Sequence, residues 1–120
     1  MSLSPFIVAS LVLNVVVLVA VVAGLAANAR WTLEAYGPQT PARGILTSVY
    51  VAIGVASVVL LVRADAAGAI ALLGVQVLYK VTTPFTVSPR NPVVISNLGI
   101  AAWHTVALVL SELARRGASE

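Results

Sequence analysis

The chain has 120 residues and a net charge of +3, and it is 60% hydrophobic with 9% charged residues. Soluble domains are about 45–50% apolar and about 25% charged, so this chain has too few polar residues to cover a water-facing surface. Cysteine is absent, which excludes disulfides and cysteine metal sites. The basic residues mostly stand singly between apolar blocks, as membrane-flanking anchors do, and this pattern argues against nucleic-acid binding.

Four segments are long and apolar enough to cross a bilayer, because about 20 helical residues span a hydrocarbon core of about 30 Å. They lie at about residues 5–27, 44–62, 66–84 and 92–113, and a long loop covers 28–43. We predict helices because backbone groups in lipid must be satisfied within their own segment. The first segment also resembles a signal peptide, but its length and its uncharged start favour a helix that is retained.

Short turns join the second segment to the third and the third to the fourth, which predicts antiparallel neighbours. We therefore expect an all-α integral membrane protein, built as a four-transmembrane-helix up-down-up-down bundle in one domain, 1–120. Both termini then lie on one side of a prokaryotic cell membrane. The adjacent pair Arg115 and Arg116 favours the cytoplasmic side for them.

The polar residues of the spans fall at two depths when each helical residue advances about 1.5 Å. One layer is central, and the other lies closer to the face opposite the termini. Isolated polar groups are costly in lipid, so these side chains should face the bundle interior or a partner. The predicted intramembrane polar cluster consists of Asn14, Tyr50, Gln76, Lys80, Asn97 and His104.

Lys80 is the one charged residue inside the third segment, and three interpretations of it remain open. Its ammonium could reach the headgroup region along the apolar stem. It could instead turn inward to Tyr50, to Asn97, or to Glu34 on the long loop, which is the acid on that side of the membrane. The third interpretation is a group that handles an anion or a proton.

His104 is the single histidine, and it lies near mid-membrane on the fourth segment. It could form a structural hydrogen bond between helices, take part in a pore, or ligate a haem or metal. Ligation by two histidines would need a second histidine from elsewhere. We therefore predict no cofactor and no metal site.

The chain carries no phosphate-binding, dinucleotide-binding or hydrolase motif. Its four acidic residues all lie outside the middle of the spans, at Glu34, Asp65, Glu112 and Glu120. Paired carboxylates for acid–base chemistry are thus missing from the interior. We predict that the protein is not an enzyme and has no catalytic residue.

The short loops leave little water-facing surface for an independent activity. The leading hypothesis is a protein that acts by association, either as an accessory or assembly subunit of a larger membrane complex or as a homo-oligomer. Its partners would be the lipid bilayer and other membrane subunits, or copies of itself. The alternative is a small oligomeric transporter or channel for an anion, a proton or a small polar solute. A weaker alternative is a lipid-, quinone- or haem-binding bundle.

Overall fold

The computed structural model describes residues 3–119, with side chains described as far as Gly117. Every regular element in that part of the chain is a helix: α1 (Pro5–Ala26), α2 (Arg30–Tyr36), α3 (Pro41–Arg63), α4 (Ala66–Thr86) and α5 (Pro92–Ser119). All of these except α2 are long and apolar enough to cross a membrane. The all-helical prediction is confirmed, and the four long helices are consistent with an integral membrane protein.

Side-chain caps set where three of the long helices begin. Ser4, Thr40 and Asp65 each accept a hydrogen bond from the backbone N–H three residues further on, at 3.2, 3.2 and 3.0 Å. Such caps satisfy one of the free N–H groups of the first turn. Pro5 and Pro41 occupy first helical positions, where the missing N–H costs nothing. Helix α3 therefore begins at Pro41, before the start that hydropathy alone predicts.

The long connection between α1 and α3 contains the short helix α2, which a buried arginine holds in place. Arg43 is 5% exposed. Its Nη1 donates to Asn28 Oδ1 and to the Gly37 carbonyl, both at 2.9 Å. Its Nη2 donates to the Leu25 carbonyl at 3.1 Å and to Thr32 Oγ1 at 3.3 Å. The sequence placed Arg43 among the anchors at the membrane face, whereas the side chain joins the end of α1 to both ends of α2.

Helix α1 is the centre of the packing, because it contacts each of the other four helices, while α4 packs along α5. Two apolar clusters extend from it. One joins α1 to α4 through Ile7, Leu11, Ala69 and Leu73. The other joins α1 to α3 through Leu18, Leu25 and Tyr50.

Buried side chains recur at seven-residue intervals, the spacing of helices that pack along a continuous seam. The buried residues of α3 are Arg43, Tyr50 and Ser57, all of which carry polar atoms. On α5 the buried residues Asn97 and His104 show the same interval. The seams of α3 and α5 are thus marked by polar side chains, and these position the candidate site.

We predict that Arg43→Ala lowers the free energy of unfolding by about 2–4 kcal/mol, because it leaves buried carbonyls without a donor. Arg30→Ala, which removes an exposed arginine from the neighbouring helix, should change it by at most about 0.5 kcal/mol. Unfolding by SDS titration in mixed micelles measures both. Equal effects of the two substitutions would contradict the role assigned to Arg43.

Candidate functional site

The six predicted cluster residues are each at most 8% exposed. They form separate groups. Asn14, Gln76 and His104 are joined by hydrogen bonds. Lys80 and Asn97 form a second pair, while Tyr50 bonds to a residue outside the predicted cluster.

Asn14 lies on α1 and bonds to one residue from each of the other long helices. Its Nδ2 donates to Gln76 Oε1 on α4 at 2.6 Å and to Ser57 Oγ on α3 at 3.3 Å. Its Oδ1 accepts from Gln76 Nε2 at 3.3 Å. The same oxygen lies 3.0 Å from His104 Nε2 on α5. We call Asn14, Ser57, Gln76 and His104 the central network.

The central network determines the tautomer of His104. An amide oxygen can only accept hydrogen bonds, so Nε2 must carry the imidazole proton that it donates to Asn14 Oδ1. The other ring nitrogen, Nδ1, is buried without a hydrogen-bond partner among the described residues. In this arrangement His104 thus donates a hydrogen bond from α5 to α1.

The side chain of Lys80 is directed into the helix bundle. Its side chain is 6% exposed, and Nζ donates to Asn97 Oδ1 at 3.0 Å. Nζ also lies 5.2 Å from the centroid of the Tyr79 ring. Glu34, the suggested loop partner, is exposed on α2 and makes no ion pair with Lys80. The partner of Lys80 is therefore the neutral amide of Asn97, and two of the three ammonium protons are not used in hydrogen bonds within the described chain.

Tyr50 belongs to an aromatic group at the α2 end of the bundle. Its hydroxyl donates to Tyr36 Oη at 3.4 Å, and the two rings meet edge to face with centroids 6.1 Å apart. Trp31 continues the group at 6.5 Å from the Tyr36 ring. Burial raises the pKa of the Tyr36 phenol above its ordinary value, so this hydroxyl stays protonated at neutral pH. Tyr50 therefore joins α3 to α2 and does not meet Lys80.

Two buried polar residues of α3 were not predicted as site residues. Ser57 accepts from Asn14 and donates to the Ile53 carbonyl at 2.8 Å, and Arg43 holds α2. Their spacing of seven residues from Tyr50 on either side was a usable signal. It was overlooked because serine is common in membrane spans and because an arginine near a helix end ordinarily lies at the membrane surface.

The contacts that these residues make are hydrogen bonds and, at Lys80, those of a charged group. Within the described chain, no three His, Cys, Asp or Glu side chains come together as metal ligands. In the central network the amides of Asn14 and Gln76 bond to each other in both directions, which favours a structural role. Lys80 differs because its charge meets no acid, so it is the position where the interior could interact with an anionic group.

We predict that Asn14→Leu lowers the free energy of unfolding by about 2–4 kcal/mol, since it leaves both Gln76 and His104 without their partner. Adding Gln76→Leu to that variant should cost less than Gln76→Leu costs alone, because the pair is already broken. Val16→Leu, at an exposed position of the same helix, is the matched control. SDS titration measures the free energy of unfolding of the two single variants, the double variant, the control and the wild-type protein. If the effects of Asn14→Leu and Gln76→Leu simply add in the double variant, the two residues do not share a network.

Comparison with protein-family models, with curated proteins and with solved structures finds no match for this chain. The helical architecture, the central network and the buried Lys80 are therefore the observations from which a function must be inferred.

Proposed function

We propose that this chain is an integral membrane protein that acts by association, as an accessory or assembly subunit of a larger membrane complex or as a homo-oligomer. The outer surface of α3 is the observation that carries the proposal. The helix buries three residues, and the rest of its length exposes large apolar side chains, among them Val49, Val55 and Val62. Such a surface suits contact with lipid or with another membrane helix.

Small residues on α3 support helix-to-helix association on that surface. Gly44, Ser48 and Ala52 are four residues apart and exposed, and nothing lies within 4 Å of a Cβ placed on Gly44. Rows of small residues let two helix backbones approach closely in a membrane. All three positions are exposed in the described chain, which favours the use of this row between chains.

An up-down-up-down course through the membrane accounts for two distant contacts. Ser4, which caps α1, donates to Ser111 Oγ near the end of α5 at 3.0 Å. Asn91, before α5, donates from Nδ2 to the Ala35 carbonyl of α2 at 2.8 Å. Four alternating spans would bring together these chain segments at the two opposite faces. The proposed cytoplasmic location of the termini rests on the adjacent Arg115 and Arg116.

We expect the protein to remain in the membrane pellet after alkaline carbonate extraction. In mild detergent it should co-purify with stoichiometric membrane subunits or migrate as a defined homo-oligomer. Ala52→Phe should lower the yield of that complex about tenfold or more, because the bulky ring separates the helix backbones. Ala20→Phe, at an exposed position of α1, is the matched control.

Two outcomes would contradict the proposal. Release into the carbonate supernatant would refute membrane insertion. A protein that stays in the pellet but migrates as a monomer with no companion would refute association alone.

Lys80 favours a second candidate function, an oligomeric transporter or channel for an anion, a proton or a small polar solute. A buried ammonium whose described contacts are a neutral amide and an aromatic ring, with no acid, carries a desolvation cost that these contacts do not fully offset. Intramembrane charges of this kind often mark a transport route. In this candidate, His104 and the amides of the interior would take part in the route.

The transport candidate predicts flux across liposomes that contain the purified protein. Chloride or proton flux above that of empty liposomes should fall about tenfold or more in Lys80→Ala and in His104→Ala, since both remove interior polar groups. Val81→Ala, next to Lys80 and 41% exposed, should keep the wild-type flux. Wild-type flux equal to that of empty liposomes for both ions would leave this candidate without support.

A further inference from the structure

The α2 end of the bundle comprises the end of α1, α2, the start of α3, the last part of α4 from Lys80 onwards and the turn between α4 and α5. Its described cations outnumber its acids, with Arg30, Arg43, Lys80 and Arg90 against Glu34. We propose that this end binds the phosphate headgroup of an anionic phospholipid through Arg30 and Arg90. The inference rests on the proposed membrane insertion, but not on association or transport.

The two arginines are the cations of this end that remain available to an outside ligand. Arg43 and Lys80 are buried and donate to neutral acceptors of the chain itself. Arg30 and Arg90 are exposed, and their side chains make no ion pair or hydrogen bond with any described residue. Glu34 follows Arg30 by four residues, yet the two are not paired. The positive charge at this end is therefore not neutralised within the described chain.

The opposite end of the bundle differs in this respect. There Glu112 Oε1 forms ion pairs with Arg115 Nη2 at 2.6 Å and with Arg116 Nε at 3.0 Å. Arg63, the third described arginine of that end, makes no ion pair with any described residue and lies two residues from Asp65. Because two of the three described arginines there are paired with Glu112, an anionic headgroup would gain less from binding at that end.

Arg30 and Arg90 stand on backbone that other contacts hold in place. The bond from Asn91 Nδ2 to the Ala35 carbonyl, at 2.8 Å, ties the turn that carries Arg90 to α2. The Trp31 ring lies against Gly24 of α1, where a Cβ would clash with the indole. A site on fixed backbone orders its ligand at a lower entropic cost than one on a loose tail.

The surroundings of the arginines match the boundary between headgroups and acyl chains. Trp31 is 42% exposed, and its ring has the amphipathic character of aromatic residues at membrane interfaces. Phe85 and Val87, beside the turn, are 89% and 58% exposed. Cations next to exposed apolar side chains fit a phospholipid, whose phosphate and acyl chains adjoin, better than they fit a free phosphate.

The test is a titration of the full-length protein in zwitterionic detergent with dioleoylphosphatidylglycerol and, separately, with dioleoylphosphatidylcholine. Native mass spectrometry counts bound lipids, and the shift of the thermal unfolding midpoint gives the apparent affinity. We expect the anionic lipid to bind more tightly, and Arg30→Gln with Arg90→Gln to weaken its binding by about fivefold for each arginine removed. Binding of phosphatidylcholine should not change.

Three controls separate this proposal from its rivals. Arg63→Gln, at the opposite end, should leave binding of the anionic lipid unchanged. Arg30→Lys with Arg90→Lys should keep most of the preference, since the charge is retained. Raising the salt from about 0.1 M to about 1 M should abolish the preference in the wild-type protein, because the Debye length falls from about 10 Å to about 3 Å.

The proposal is overturned if the two lipids bind equally, or if Arg63→Gln weakens binding as much as the paired glutamine variant does. Displacement of the lipid by millimolar inorganic phosphate would instead assign the site to a soluble anion and would also overturn it. A protein that resists carbonate extraction but shows no lipid preference refutes this inference and leaves membrane insertion intact.

Discussion

A single carboxamide, that of Asn14, joins the four long helices. From α1 it bonds to Ser57 of α3, Gln76 of α4 and His104 of α5. A buried amide without partners costs several kcal/mol, so each of the other helices must present its polar group at the right height and rotation. Apolar packing between helices of similar valine and leucine surfaces sets these parameters less sharply.

The attachment of α3 follows from the same principle. Its buried residues Arg43, Tyr50 and Ser57 bond to α1 and α2, one at each step of seven residues. Three polar attachments leave most of the helix surface uncommitted. Among the four long helices α3 has the smallest buried share, so the association hypothesis centres on it.

Two kinds of polar group occur in the interior, and they differ in how far hydrogen bonds compensate for their burial. In the central network, the side-chain amides of Asn14 and Gln76 each donate to the other and accept from it. Lys80 instead carries a charge that contacts the amide of Asn97 and the Tyr79 ring but no acid, so its burial lowers stability unless something outside the described chain compensates. The burial of Asn14 and Gln76 can therefore be explained by stability alone, whereas the burial of Lys80 requires a functional reason.

Much of this protein could be predicted from its sequence, because hydropathy and helix length depend on local composition. The four long helices follow from it, as does the inward direction of Gln76 and Asn97, since polar groups in an apolar span must find partners. Tertiary structure alone decided which groups meet. The sequence left Tyr50, Asn97 and Glu34 open as inward partners of Lys80, and the structure pairs it with Asn97. The sequence also grouped Arg43 with the basic residues that flank the spans, whereas the structure buries it against α2. These pairings depend on the rotation and relative height of separate helices, and no single segment of sequence encodes either quantity.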